Sequence, residues 1–265
     1  DPSAFSRGAC VSFAPTTGGR HDTVFLDAGH GGIDPGAVGT TESGATVYEA
    51  DETLPVEMDA AQILRAHGFR VVVSRTRQSS VVRLNAEEES GGVLTLKGAH
   101  DDVVARDICA NRAHATLLVG IYFDAASSSS AAGSLTAYDA ARPFSHKSLR
   151  FADLLERDVL DAMNSHGWQI PNIGVENDTA LGSYVEPAPG SADSTYARDA
   201  LAYNHLLLLG PPMRGYFTTP SEMPGALIEP LFITDPFEAS IAASATGQHT
   251  IASAIAQAVE QYFGS

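Results

Sequence analysis

Cysteine is nearly absent: the 265 residues hold two, Cys10 and Cys109. Two cannot build a Cys-rich zinc module or a disulfide framework. They leave two readings open. They form one bridge in an exported protein, or Cys109 is a small buried apolar residue on a helix and Cys10 a free thiol. Positive charge is scarce too, with 16 Lys and Arg against 32 Asp and Glu and a net charge of -16. That balance argues against a nucleic-acid surface and against an electrostatic hold on anionic lipid. No apolar run approaches the roughly 20 residues that a membrane-spanning helix needs. No internal repeat recurs, which argues against solenoids and propellers. No signal-peptide pattern is visible, and an opening Asp1-Pro2-Ser3 without Met is expected if a preceding segment has been removed.

What is present is globular: 44% hydrophobic and 18% charged residues. Residues 1–22 are polar and rich in Gly, Pro and Thr, and read as an arm before a folded unit at 23–265. Thr23 to Asp27 is a short apolar run entering a Gly-rich loop, Ala28 to Gly39. Leu54, Met58, Ala61 and Leu64 recur at helical spacing, with Gly68 at the expected stop. Phe69 to Ser74 and Leu117 to Ile121 read as buried strands, Ser134 to Tyr138 as a further one. A short helix is expected around Val104, Ile108 and Cys109, another from Leu149 to about Asn164, and a last one through Ile251, Ile255, Val259 and Tyr262. Leu206 to Leu209 and Ala226 to Glu229 are two more apolar runs. Residues 83–102 and 165–204 read as surface excursions, the second with one helical turn near Tyr196. Strands alternating with helices predict a single α/β domain with a mostly parallel, mixed sheet covered on both faces.

Sites in such sheets collect beyond the carboxyl ends of strands. Three candidates stand there. In Asp27-Ala28-Gly29-His30-Gly31-Gly32 the glycines turn the chain tightly and leave room beside the imidazole, which suits a metal ligand or a general base. The plainer reading is a tight turn with a surface His. Glu49 precedes the first helix, where capping and the helix dipole also favour a carboxylate. Glu229 ends an apolar strand, where burial raises its pKa towards that of a general acid or base. The plainer reading there is a Glu paired with a cation.

Together and in this order the segments resemble the zinc-dependent N-acetylmuramoyl-L-alanine amidases of the amidase_3 family, over roughly 23–263. Asp27 to Gly32 resembles the family's Asp-(Pro/Ala)-Gly-His-Gly-Gly motif and Glu49 its helix-opening Glu. Arg75-Thr76-Arg77 resembles its Thr-Arg-Thr stretch, and Ala105 to Asn111 its Arg-x-x-x-Ala-Asn helix. Met223 to Glu229 resembles its Met-Pro-Ala-(Val/Leu)-Leu-(Val/Ile)-Glu motif, continued at Asp235-Pro236-Phe237-Glu238. The resemblance implies a hydrolase-like α/β fold, His30 and Glu49 as zinc ligands and Glu229 as the catalytic Glu. It departs at one place. Gly120-Ile121-Tyr122-Phe123-Asp124-Ala125 stands where the family has Ser-Ile-His-Ala-(Asn/Asp)-Ala, so Tyr122 occupies the third ligand's place. A phenol must ionise to bind zinc well. The substitutes are Tyr122 itself, Asp124, or His100, His114 or His205, and these three histidines read first as ordinary surface or core residues.

The implied function is zinc-dependent hydrolysis of the bond between N-acetylmuramic acid and L-alanine in peptidoglycan. The implied partners are peptidoglycan or muropeptides, the implied place the cell envelope or outside the cell, and a monomer is favoured. The alternative is a degenerate relative, with zinc weak or absent because of Tyr122, that binds peptidoglycan fragments or a protein without turnover.

Overall fold

Val24, Phe25 and Leu26 are all wholly buried, as a strand covered on both faces requires. The computed structural model describes residues 4–181 and 195–264. In chain order the elements are β1 (Ala9–Phe13), β2 (Thr23–Ala28), β3 (Val38–Thr40), β4 (Thr46–Tyr48), α1 (Glu49–Ala66), β5 (Arg70–Arg75), β6 (Glu89–Ser90), β7 (Val93–Leu94), α2 (Leu96–Arg112), β8 (Leu117–Ile121) and β9 (Ser134–Tyr138). There follow α3 (Ser145–Ser165), β10 (Asn172–Asn177), a 3-10 turn (Asp178–Ala180), α4 (Thr195–Tyr203), β11 (Gly225–Glu229), α5 (Pro236–Ala242) and α6 (Ala245–Gly264).

Seven strands form the main sheet in the order β1-β5-β2-β8-β11-β9-β10. The pairs β5·β2, β2·β8, β8·β11 and β9·β10 are parallel, while β1·β5 and β11·β9 are antiparallel. Alternate side chains serve two cores. Leu26, Val73, Val119 and Ile228 pack with Leu64 of α1, Leu155 of α3 and Ile255 of α6. Phe25, Val72, Leu118 and Leu227 pack on the other face, with Ala105, Cys109 and Ala110 of α2 and with Leu206 and Leu208. The predicted mixed, mostly parallel sheet with helices on both faces is therefore observed.

The N-terminal arm is corrected. β1 lies within 1–22 and closes one sheet edge, pairing Val11 with Val73. An edge strand is covered on one side only, so its apolar alternation is faint in the sequence. Cys10 is bonded to Cys109 with Cα atoms 5.6 Å apart, which decides for the bridge, and Cys109 is also fully buried on α2.

The two excursions carry more structure than expected. Residues 83–102 hold the β6–β7 hairpin and the first turns of α2, whose Thr95 cap accepts a bond from Gly98 N at 3.0 Å. The helix was hidden because its inner face is polar: His100, Asp102, Arg106 and Asp107 are all buried. Within 165–204, β10 adds the opposite sheet edge and α4 replaces the single turn expected near Tyr196. The remainder of that expected loop, 182–194, lies outside the described residues. Leu206 to Leu209 is not a strand; Leu209 N and Gly210 N both turn back onto Leu206 O. Leu206, Leu207 and Leu208 line a cleft, and Leu209 packs in the core.

Candidate active site at the carboxyl ends of three strands

β2, β8 and β11 are adjacent and parallel, so their carboxyl ends share one edge. That edge carries Gly29-His30 after β2, Tyr122 to Asp124 after β8 and Glu229 at the end of β11. A cleft of about 740 Å³ opens there, lined among others by His30, Glu49, Tyr122, His205 and Glu229. A larger groove of about 980 Å³ beside β1 is lined by Arg7, Arg70, Arg83 and Arg112 but by no carboxylate or imidazole, so hydrolytic chemistry has no group to work with there.

His30 has a left-handed φ of 59°, which few non-glycine residues adopt and which throws its ring out of the turn. The turn is held by two buried arginines. Arg106 donates to Ala28 O (2.6 Å), to His30 O (2.8 Å) and to Asp27 Oδ1 (2.6 Å), and pairs with Asp102 at 2.7 Å. Arg75 donates to Gly29 O (3.1 Å) and Ala50 O (2.8 Å), tying the turn to the start of α1. These are the arginines of the two middle motifs. Both support the turn, and Arg106 also lines the cleft.

His30 Nδ1 bonds to Asp34 Oδ2 at 2.8 Å, and Nε2 lies 3.1 Å from Glu49 Oε2. Glu49, 3% exposed, accepts from Phe123 N and Ala37 N, both at 2.9 Å. A Cβ at Gly36 would stand 2.6 Å from both Glu49 Oε2 and His30 Cδ2, so glycine is what lets the loop pass over this pair. Burial lowers the His30 pKa, but the Glu49 carboxylate, then Asp34, lift it to about 10. The ring without a metal is therefore an imidazolium that directs one N–H at each carboxylate. The 3.1 Å separation is close to the ~3.3 Å edge of a tetrahedron with ~2.0–2.1 Å bonds, so a divalent cation fits in place of the Nε2 proton.

Glu229 is 8% exposed. Burial, then the Asp124 and Glu49 carboxylates, raise its pKa well above the usual range, opposed by His30. Glu229 therefore feels all three side chains, and His30 and Glu49 line the cleft with it. The third ligand place is different. The Tyr122 hydroxyl donates to Asp27 Oδ2 at 3.1 Å, and burial, then Asp27, raise its pKa further. A Cβ at Gly29 would lie 2.5 Å from its ring, so the phenol is packed flat on the turn. Asp124 Oδ1 accepts from Ala125 N at 2.6 Å. Among the described residues, one group of three His, Cys, Asp or Glu side chains has donor atoms within 4.8 Å of one another, and it is Asp139, Asp178 and His205. Neither Asp124 nor Glu229 closes such a set with His30 and Glu49. His100 sits against Tyr216 on the buried face of α2, and His114 is exposed.

The family model described as N-acetylmuramoyl-L-alanine amidase matches residues 24–261. The chain belongs to that family. It is 25% identical to N-acetylmuramoyl-L-alanine amidase AmiA of Escherichia coli strain K12, over 97% of this chain and 81% of that one. Its fold is similar to that of the amidase AmiC2 of Nostoc punctiforme (TM-score 0.63, 22% identity, 94% of this chain and all of that one). It is also similar to the CwlD amidase of Clostridioides difficile, solved with the GerS lipoprotein (TM-score 0.64, 22% identity, 92% of this chain and 99% of that one).

Within the amidase framework, sequence reasoning missed Asp34, which orients His30, and it named His205 only as a substitute ligand, without Asp139 and Asp178, which pair with it. Asp34 carried a signal in its i,i+4 relation to His30. The cluster carried none, because its members lie far apart in the chain. No described helix is long and apolar enough to cross a membrane.

Proposed function

We propose that this amidase cleaves the amide between N-acetylmuramic acid and L-alanine in peptidoglycan, with His30 and Glu49 holding a zinc ion and Glu229 moving the proton. The single observation that carries this is the meeting of His30, Glu49 and Glu229 at the carboxyl ends of three neighbouring strands. A zinc ion held there supplies Lewis acidity, lowering the pKa of water and polarising the amide carbonyl.

The chain's own groups do the rest. Asp34 fixes the His30 ring through Nδ1 and leaves Nε2 facing the cleft. Phe123 N and Ala37 N hold the Glu49 carboxylate in one orientation. Glu229 takes the proton of the attacking water and delivers it to the departing alanine nitrogen. Burial and the neighbouring Asp124 and Glu49 carboxylates raise its affinity for a proton. Leu206 to Leu208 and Tyr216 line the cleft and exclude water from one wall. The substrate places the protein in the cell envelope or outside the cell.

A second reading is supported by one observation: the Tyr122 hydroxyl is engaged by Asp27 and adds no third donor beside His30 and Glu49. On that reading the cleft binds muropeptides without turnover. Digestion of purified sacculi separates the two. Release of peptides with a free L-alanine amino terminus, falling by about 10³-fold in Glu229→Ala, is the expected result. No release by the zinc-loaded protein leaves the binder.

A further inference from the structure

The parallel register of β9 and β10 pairs Tyr138 with Asn177, so the next residue of each strand, Asp139 and Asp178, emerges side by side. Both carboxylates are buried, at 2% and 0% exposed. His205, two residues beyond α4, brings Nδ1 to 2.8 Å from Asp139 Oδ2 and to 3.2 and 3.3 Å from the two oxygens of Asp178. One ring nitrogen thus faces three acceptor oxygens with at most one proton to offer. Asp178 Oδ2 takes a further bond from Leu206 N at 3.0 Å, and Asp139 Oδ1 one from Ala141 N at 2.6 Å. Asp139 Oδ2 is buried and accepts no hydrogen bond; its approach to His205 is a close contact only. Arg142 does not bridge the carboxylates, because its guanidinium donates to the carbonyls of Leu209, Gly210 and Ser221.

We propose that Asp139, Asp178 and His205 form a second divalent-cation site, distinct from His30 and Glu49, that takes a first-row cation of the zinc class. The donor set is two carboxylates and one imidazole, net charge minus two with a neutral ring, which suits a dication. His205 Nδ1 stands 2.8 Å from Asp139 Oδ2 and 3.2 Å from Asp178 Oδ2, each within a few tenths of an ångström of the ~3.3 Å edge of a tetrahedron, and the three donor atoms lie within 4.8 Å of one another. The Asp139 oxygen that accepts no hydrogen bond gains a ligand bond. The ion would clip the ends of β9 and β10 to the segment after α4, whose His205, Leu206, Leu207 and Leu208 line the cleft. Its role is to hold that wall in place, and it does not depend on the catalytic reading.

His30→Ala isolates the site by removing the other imidazole. Zinc alone, titrated into this metal-stripped variant, is expected to bind at one ion per chain and raise Tm by about 5 °C at large excess. Adding Asp139→Asn or His205→Gln to His30→Ala should weaken that binding by at least about 100-fold. Hydrogen exchange of the His30→Ala chain should show zinc-dependent protection at 139–141, at Asp178 and at 205–209. No zinc uptake by the His30→Ala chain overturns the proposal. So does uptake that protects other segments, or uptake that both double variants retain; the exchange readout decides even where a double variant fails to fold.

Discussion

Two imidazoles face the same cleft, each set between two carboxylates, and they are positioned by different means. His30 rides on a turn whose carbonyls are held by Arg75 and Arg106, both fully buried. His205 has no such frame; its partners meet because two parallel strands end in step. The first arrangement lets a short motif and two distant arginines place a ring in an unfavourable backbone conformation. The second leaves the imidazole-bearing residue itself out of the left-handed region, which Asn204 beside it adopts at φ 49°, and it ties the cleft wall to whatever neutralises Asp139 and Asp178. Similar side-chain chemistry is thus positioned by a braced turn in one place and by strand register in the other.

Arg106→Met breaks the comparison most forcefully. It leaves Asp27 and Asp102 buried without their cationic partner, frees the His30 carbonyl and leaves Ala28 O to Arg75 Nε at 3.3 Å. The expected loss is about 3–5 kcal/mol of unfolding free energy in urea, the usual result of stripping one partner from a buried ion pair. Zinc uptake at His30 should fall with it. Uptake at His205, measured in the folded fraction, should not, because Arg106 donates to none of its three ligands. Equal loss at both sites would mean that the two are one coupled unit.

The same contrast explains what the sequence could reveal. His30, Glu49 and Glu229 each lie beside a strand end or helix start, so local patterning pointed to them, and the order of the motifs pointed to the family. β2, β5, β8, β11 and α6 were legible because burial on both faces, or on one stripe, leaves a strong apolar period. β1, β10 and most of α2 were not. The two strands are edges with few inward side chains, and α2 turns polar residues inward to support the His30 turn. Asp139, Asp178 and His205 become neighbours only through strand register, which no window of sequence records. The role of Tyr122 was half visible: its position was read, but its bond to Asp27 depends on a buried carboxylate 95 residues away.

Tyr122→His sharpens the comparison from the other side. The phenol's bond to Asp27 is lost, but Asp27 keeps its pairing with Arg106 at 2.6 Å, so the turn should survive. An imidazole in that place adds a nitrogen as the third donor beside His30 and Glu49. Zinc affinity there should rise by about 10–100-fold, read by competition with a chelator in the His205→Gln background. Turnover on sacculi should rise in parallel. No change in either would show that the side chain after β8 does not reach the ion.

The smallest effect concerns a buried acid that belongs to neither imidazole. Glu57 is wholly buried in α1, and its Oε1 accepts from Ala28 N, Ser74 N and Ser74 Oγ. Burial raises its pKa to about 8, against a partial pull downward from Arg75. Its folded pKa therefore lies above the unfolded value of 4.5, and the neutral acid is the form the fold prefers. That contribution is complete below pH 4.5 and is lost as pH rises towards 8, since the unfolded chain gives up the proton first. Glu57→Gln keeps an acceptor for the three donors and has no proton to lose. The stability difference between Glu57→Gln and the natural chain should then move in favour of Gln by about 1 kcal/mol or more between pH 5 and pH 8. Urea unfolding at the two pH values measures it. A difference that stays constant with pH would mean that Glu57 is ionised in the fold, and that Arg75 is committed to it more than to the carbonyls of the His30 turn.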